Sequence, residues 1–184
     1  GSIAAVMGSL AAALATMVAN LSAHKRGWDD RWEEFSDWAE KGKVLHDELL
    51  SLVDADTHAF NKVMQTFGLP KSSEAERAAR HQAIQEATRG AIQVPMRIMQ
   101  RSHDCFEVIR AMAESGLPAS MSDVGVAALA ARAGVMGAFL NVKINVKDLD
   151  DHAWVDEKLA EGQRLQDAAI AAEKAVLEIV GNKI

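Results

Sequence analysis

The uncharged stretch from Ile3 to Leu21 constrains the fold of this chain more than any other feature. It is nearly long enough to cross a bilayer, so a membrane span is one interpretation. It is rich in alanine, and small residues recur along one helical face at Ala4, Gly8, Ala11 and Ala15. Small residues at this spacing let a second helix approach closely, in water as in lipid. We therefore expect a buried helix at the centre of a bundle, with no membrane partner.

Composition favours helices throughout. Aromatic residues make up 5% of the chain, with no tyrosine, whereas alanine, leucine, methionine, glutamate and lysine abound. We predict an all-α antiparallel helical bundle in one domain, residues 1–184, because this length can bury a single core. The formal charge of −6 disfavours a nucleic-acid partner. A lone cysteine, Cys105, is expected to pack as a small apolar group, and it fits a reducing compartment such as the cytoplasm.

Turn and capping residues divide the chain into five segments. Gly68-Leu69-Pro70 and Gly116-Leu117-Pro118 stop two helices, and Ser73 with Glu76 has the spacing of a capping box. The predicted helices run near Ser2 to Ala23, Trp28 to Phe67, Ser73 to Ser115, Asp123 to Asn145 and Asp151 to Val180. Two of them are long, so we expect interruptions or kinks at Gly42 and Pro95 and six or seven rods in all. The short connections predict antiparallel neighbours.

Helical phase separates two aspartates in the sequence LVDADTHAF. Residues two apart point about 200° away from each other, so Asp54 and Asp56 cannot share one pocket. Asp56 falls in an otherwise apolar stripe that contains Leu45, Leu49, Leu52, Val53, Ala59, Phe60, Val63 and Phe67. Asp54 falls among polar residues and is expected to be a solvated charge.

A carboxylate in an apolar stripe loses hydration, which favours its protonated form and suits it to proton transfer. Asp56 is therefore a candidate acid/base residue. A structural aspartate bonded to another helix is the alternative, and the pattern alone does not separate the two.

The fourth helix has small residues on one side that give way to two amides, Asn141 and Asn145. The commoner explanation of such a side is close packing against a neighbouring helix. The alternative is a space for a flat ligand that forms hydrogen bonds with the two amides. The basic pair Lys25-Arg26 can hold an anion or simply end a helix in solvent. The six histidines form no two-histidine metal motif, and no phosphate or dinucleotide loop occurs, so we expect neither a metal nor a nucleotide cofactor.

Several ordered segments carry a family resemblance: LVDADTHAF, then GLPK, then SDVGVAALAARAGVMGAFLNVKIN. Together they resemble the cyclodeaminase half of formiminotransferase-cyclodeaminase over nearly the whole chain. The opening Gly1-Ser2 resembles the end of that family's glycine-run-plus-serine motif. The helix that precedes this motif in relatives is not in the sequence, so we expect an N-terminal segment to be missing from it.

The resemblance implies an all-α dimeric enzyme, an ammonia-lyase of histidine degradation and one-carbon metabolism. Such an enzyme closes 5-formiminotetrahydrofolate to 5,10-methenyltetrahydrofolate with loss of ammonia; folate is its substrate and it carries no prosthetic group. The family's catalytic aspartate matches Asp56. The resemblance also implies substrate-binding roles for Ser2, Asp123, Gly137, Asn141 and Asn145. It implies that Lys25 and Arg26 lie at the pocket rim, where they would bind the folate carboxylates.

Three alternatives stay open beside this interpretation. A methenyltetrahydrofolate cyclohydrolase fits the same resemblance, because it binds the same cation and has similar acid/base needs. A formiminotransferase domain can be fused to the chain, as in the bifunctional enzymes. A non-catalytic helical dimerisation module, in which Asp56 is a paired core charge, is the alternative from another functional class.

Overall fold

The computed structural model describes residues 1–184, and its architecture is all-helical. Five α-helices follow one another: α1 (Ser2–Ala23), α2 (Trp32–Phe67), α3 (Glu74–Ser115), α4 (Met121–Asn145) and α5 (His152–Gly181). Short 3₁₀ turns at Pro118–Ser120 and Val146–Asp148 flank α4. The all-α prediction is confirmed.

Capping chemistry fixes several helix ends. Ser73 accepts a hydrogen bond from the backbone N–H of Glu76, whose side chain accepts in return from Ser73 N, so the predicted capping box forms at the start of α3. Asp151 caps α5 by accepting from the backbone N–H of Trp154 at 3.1 Å. Gly181 does not form a left-handed cap at the end of α5, because the only positive φ in the chain is at Gly27.

Gly42 and Pro95 do not interrupt their helices, since α2 and α3 run unbroken through both residues. Gly42 serves close packing: a Cβ there would lie 2.3 Å from the Thr16 hydroxyl on α1. Pro95 lacks one N–H but is buried, and tertiary packing along α3 compensates for the lost hydrogen bond. The bundle therefore has five α-helices rather than six or seven.

Inter-helix contacts give the direction of each neighbour. Ser2 bonds Asp56 while Gly42 meets Thr16, so α1 and α2 are antiparallel. Two contacts for each later pair show the same sense. They are Lys41–Glu107 and Glu48–Arg101 between α2 and α3, Ala91–Asn145 and Ser102–Gly134 between α3 and α4, and Arg132–Glu173 and Phe139–Gly162 between α4 and α5. The predicted antiparallel succession is confirmed.

Helix α1 lies between α2 and α4 and also contacts α3. Its inner face is made of small residues, and at the crossing with α4 a Cβ on Gly134 would lie 3.1 Å from the backbone of Ala4 and Gly8. The expected close approach through small residues is confirmed. Two segments, Ser2–Ala23 and Pro118–Asp148, are long and apolar enough to cross a bilayer, and about half of each, 50% and 56%, is buried within the bundle.

Candidate active site

Asp56 is turned inward from the middle of α2, with 16% of its side chain exposed, whereas Asp54 is exposed. The exposed polar side of α2 also carries Asp47, Ser51, His58 and Asn61. The prediction from helical phase that Asp56 faces inward and Asp54 faces solvent is thus confirmed.

The first turn of α1 holds the Asp56 carboxylate. The hydroxyl of Ser2 donates to Asp56 Oδ2 at 2.8 Å, and the amino nitrogen of Gly1 lies 3.5 Å from the same oxygen. Asp56 Oδ1 accepts no hydrogen bond from the chain. One oxygen therefore anchors the carboxylate, and the other has no hydrogen-bond partner in the chain.

Gly1 is the point of closest backbone approach to this carboxylate. A Cβ built on Gly1 would lie 1.9 Å from Asp56 Oδ1 and 2.5 Å from its Cγ. Any larger residue would displace the carboxylate, so the absence of a side chain at Gly1 is part of the geometry of the site.

The apolar stripe around Asp56 divides at the aspartate. Leu45, Leu49 and Leu52 are buried in the core, but Phe60 and Phe67, one and three turns beyond Asp56, are exposed. These aromatic rings line an open pocket instead of the core. Exposed apolar groups beside a carboxylate are typical of a ligand site that needs one reactive polar group.

Two amides form the opposite wall. Asn145 Nδ2 donates to Asn141 Oδ1 at 3.3 Å and lies 3.5 Å from the carbonyl oxygen of Ala91 on α3. That carbonyl is free because Pro95, four residues on, has no N–H to donate to it. The proline that we expected to break α3 supplies a polar acceptor to the pocket wall.

The carboxylate, the amides and the apolar residues enclose one pocket of about 370 Å³, a volume in the range of small-molecule sites. Its lining is Gly1, Asp56, Phe60, Val63, Met64, Phe67, Ala91, Asn141, Ile144 and Asn145. Of these residues, the sequence predicted Asp56, Asn141 and Asn145 but not Gly1, Met64, Ala91 and Ile144. Phe60, Val63 and Phe67 belong to the predicted apolar stripe, whose pattern does not separate pocket from core.

Of the remaining candidate residues, one lies at the pocket and four lie elsewhere in the chain. Ser2 touches Asp56, but Gly137 packs against Ala4, where its missing side chain serves helix contact. Lys25 and Arg26 follow the far end of α1, about 33 Å from Ser2 at 1.5 Å per residue. Asp123 lies in the first turn of α4, at the opposite end of that helix from Asn141. Within one chain, these three residues do not reach the pocket.

Cys105 takes no part in the pocket. Its side chain is 1% exposed, and burial, with a smaller contribution from the charge of Asp104, raises the pKa of the thiol to about 12. A thiol that stays protonated is a poor nucleophile. The prediction that Cys105 packs as an apolar group is confirmed.

Comparison with known proteins is consistent with this arrangement. Residues 1–164 match the family model described as formiminotransferase-cyclodeaminase. The chain is 36% identical to a methenyltetrahydrofolate cyclohydrolase of Methylorubrum extorquens, over the full chain and 88% of that protein. It is 33% identical to the formimidoyltransferase-cyclodeaminase of Gallus gallus, over 98% of the chain but 33% of that protein.

A solved structure gives the same result for the fold. The crystal structure of formiminotetrahydrofolate cyclodeaminase from Thermotoga maritima superposes with a TM-score of 0.85 at 29% identity, over 99% of this chain and 87% of the other. Family model, relatives and structural neighbour all agree on one assignment. The chain belongs to the formiminotransferase-cyclodeaminase family.

Proposed function

We propose that this protein is a formimidoyltetrahydrofolate cyclodeaminase. It would close 5-formiminotetrahydrofolate to 5,10-methenyltetrahydrofolate and release ammonia, as an ammonia-lyase in histidine degradation and one-carbon metabolism. The observation that carries the proposal is the Asp56 carboxylate, anchored through one oxygen and open through the other, in a pocket with an apolar wall and an amide wall.

The reaction requires two proton transfers within one small volume. N10 of the folate attacks the carbon of the protonated formimino group, which forms the N10–C bond and leaves a proton on N10. The departing nitrogen must gain a proton before its bond to that carbon breaks and ammonia leaves. A single carboxylate near both nitrogens can take the first proton and deliver it to the second, an effect typically worth about 10²- to 10⁴-fold.

The free oxygen of Asp56 is suited to this task. Because Ser2 and Gly1 contact Oδ2, rotation of the carboxylate is restricted, while Oδ1 accepts no hydrogen bond from the chain. The same carboxylate would stabilise the cationic methenyl product by its charge.

The two walls suit the two chemical characters of a pteridine ring. Phe60 and Phe67 offer apolar surface to the flat ring system. Asn141 and Asn145 offer both donors and acceptors to ring nitrogens and oxygens. In this proposal, the walls orient the substrate and Asp56 moves the proton.

A methenyltetrahydrofolate cyclohydrolase is the second candidate, favoured by the Methylorubrum extorquens relative that the chain matches along its full length. The same carboxylate would then activate a water molecule that attacks the methenyl carbon. Two parallel assays separate the candidates. Cyclodeaminase activity releases ammonia and produces methenyl absorbance from 5-formiminotetrahydrofolate, whereas cyclohydrolase activity removes the absorbance of the methenyl substrate. A turnover rate at least tenfold higher with the methenyl substrate would replace our proposal by the second candidate.

The proposal also includes a cytoplasmic location and an active form of at least two copies. Calorimetry with tetrahydrofolate separates it from a non-catalytic dimerisation module. Saturable binding is the expected result, and the module predicts none.

A further inference from the structure

Pro95 lies in the middle of α3, where proline is the least favourable residue for a helix. It is buried, and α3 runs unbroken on both sides of it. Proline has no backbone N–H, so the carbonyl oxygen of Ala91, four residues earlier, lacks its helical hydrogen bond. Because Pro95 does not end the helix, its main local effect is this free carbonyl.

The Ala91 carbonyl lies at the wall of the Asp56 pocket. Ala91 lines that pocket together with Asn141 and Asn145 of α4. Asn145 Nδ2 lies 3.5 Å from the Ala91 oxygen, and it donates to Asn141 Oδ1 at 3.3 Å. A chain of polar contacts therefore runs from the backbone of α3 through both amides.

The carbonyl determines the direction of this chain. A carbonyl oxygen only accepts hydrogen bonds, so the Asn145 amide must turn its NH₂ group, and not its oxygen, toward Ala91. That NH₂ group has a second hydrogen for Asn141, which must then accept through its own oxygen. Without such an acceptor, the oxygen and nitrogen of each amide could exchange places. The carbonyl that Pro95 frees thus decides which amide atoms remain for a ligand.

Two atoms of the amide pair remain without a protein partner, namely Asn145 Oδ1 and Asn141 Nδ2. Neither is a buried atom, and both residues line the pocket. Since Oδ1 accepts and Nδ2 donates, the wall presents an acceptor and a donor on successive turns of α4. The complementary ligand edge is a cyclic amide, in which a carbonyl stands next to an N–H. The reversed pair would instead suit an amino group next to an unprotonated ring nitrogen.

The Gln85 side chain holds the end of α4 beside Ala91. Gln85 lies less than two turns before Ala91 on α3. It donates to the carbonyl of Asp148 at 2.8 Å and accepts from the N–H of Asp150 at 2.9 Å, and both partners lie just after α4. These two bonds tie the segment that follows Asn145 to α3, so Asn145 meets the Ala91 carbonyl from a fixed position.

We infer that Pro95 is a positioning residue of the Asp56 pocket: the carbonyl that it frees orients the Asn145 and Asn141 amides, so that the pocket selects a ligand with a cyclic-amide edge. Pro95 itself does not line the pocket and acts through Asn145. The identification of this edge with the 4-oxo and N3–H groups of a pteridine rests on the proposed function. The orientation of the amides does not, because it follows from the protein contacts alone.

Binding of two ligands tests the selection. Tetrahydrofolate carries the cyclic-amide edge, and its 4-amino analogue carries the reversed edge on the same ring system. Calorimetry with the wild type should give a Kd about tenfold or more lower for tetrahydrofolate, because the 4-amino group would face Asn141 Nδ2 and leave two donors unpaired.

Pro95→Ala should weaken this preference. It restores an N–H that donates to the Ala91 oxygen and competes with Asn145, so both amides gain freedom to turn over. The ratio of the two Kd values should fall by about threefold or more, the size of one ordinary hydrogen bond. An unchanged ratio in a folded Pro95→Ala variant overturns the inference.

Two controls separate the missing N–H from the shape of the proline ring. L-Lactic acid at position 95, the α-hydroxy analogue of alanine, has an ester oxygen in place of the N–H and should keep the wild-type ratio. In an Asn145→Ala background, Pro95→Ala should not change the ratio further, because the residue through which Pro95 acts is gone. A lactic acid variant that behaves like Pro95→Ala, or an equal change in both backgrounds, would mean that Pro95 only fills space.

Neutron diffraction of the deuterated wild type tests the amide orientation without any ligand or variant. The two deuterons of Asn145 should lie on the atom that faces the Ala91 oxygen. An Asn145 oxygen in that place would overturn the inference. A wild type that binds neither ligand would refute the proposed function, while the diffraction result still decides the orientation of the amides.

Discussion

The hydroxyl of Ser2 donates a 2.8 Å hydrogen bond to Oδ2 of Asp56. This bond joins the first turn of α1 to the middle of α2, between residues 54 positions apart in the sequence. The small inner face of α1 permits this close approach. The packing of α1 therefore determines the orientation of the candidate catalytic carboxylate.

Substitution of Ser2 by alanine should lower activity by leaving the carboxylate free to rotate. Loss of a hydrogen bond to a charged group typically costs about 1.5–3 kcal/mol, so we expect kcat to fall about tenfold or more. Because Ser2 orients Asp56 without contacting the reacting atoms, KM should change little. Ser51→Ala, on the exposed side of α2, is the control. An unchanged kcat in Ser2→Ala would exclude this positioning role.

Two glycine substitutions should have opposite effects on stability. A Cβ on Gly134 would lie 2.8 Å from Ser102 Oγ and 3.1 Å from the backbone of α1, whereas one on Gly90 meets nothing within 4 Å. Overpacking typically costs about 1–3 kcal/mol, and alanine gains up to about 1 kcal/mol of helix propensity. Urea unfolding at one protein concentration should show a lower free energy of unfolding for Gly134→Ala than for the wild type. The free energy of unfolding of Gly90→Ala should be higher than that of the wild type by about 0.5–1 kcal/mol. Equal shifts in both would refute the tight crossing.

The Cys105 thiol should resist alkylation in the native protein. Burial raises its pKa to about 12, so at pH 8 the native chain has almost no thiolate, and labelling should require denaturant. The unfolded thiol has a pKa of about 8.5 and therefore loses its proton first as the pH rises. The free energy of unfolding should fall as the pH rises from this unfolded value toward the folded one. Rapid labelling at pH 8 without denaturant would contradict its burial.

Asp151 should stabilise the fold at neutral pH but not in strong acid. The backbone N–H of Trp154, then the Arg89 side chain, hold the pKa of this carboxyl below its usual range. A lowered pKa means that the stabilisation is present above the unfolded value of about 3.9 and is lost as the pH falls through the folded value. The stability difference between wild type and Asp151→Ala should therefore shrink below about pH 4. A stability difference that stays constant as the pH falls would contradict this role of Asp151.

Much of the fold was predictable because local signals agreed with tertiary packing. The Ser73 and Glu76 capping box and the Gly-Leu-Pro stops mark helix ends by chemistry that needs no distant partner. The interruptions expected at Gly42 and Pro95 do not occur, because the effect of these residues on a helix depends on tertiary packing. Gly42 admits the Thr16 side chain, and buried Pro95 is accommodated within a continuous helix.

The candidate site was predictable in part. Helical phase separated Asp56 from Asp54, since it depends only on the period of the helix. The same phase could not show where the core ends, so Phe60 and Phe67 were not distinguished from Leu49. Nor could it show that Asn145 meets the carbonyl freed by Pro95, or that Lys25 and Asp56 lie at opposite ends of the bundle.

The most direct measurement compares Asp56→Asn with Asp54→Asn in the protein as its gene encodes it. Ammonia release and methenyl absorbance are followed with 5-formiminotetrahydrofolate. Our account predicts that Asp56→Asn loses about 10²-fold or more of kcat, because the amide cannot carry the proton between the two nitrogens, while Asp54→Asn keeps the wild-type rate. Wild-type turnover in Asp56→Asn would contradict the account.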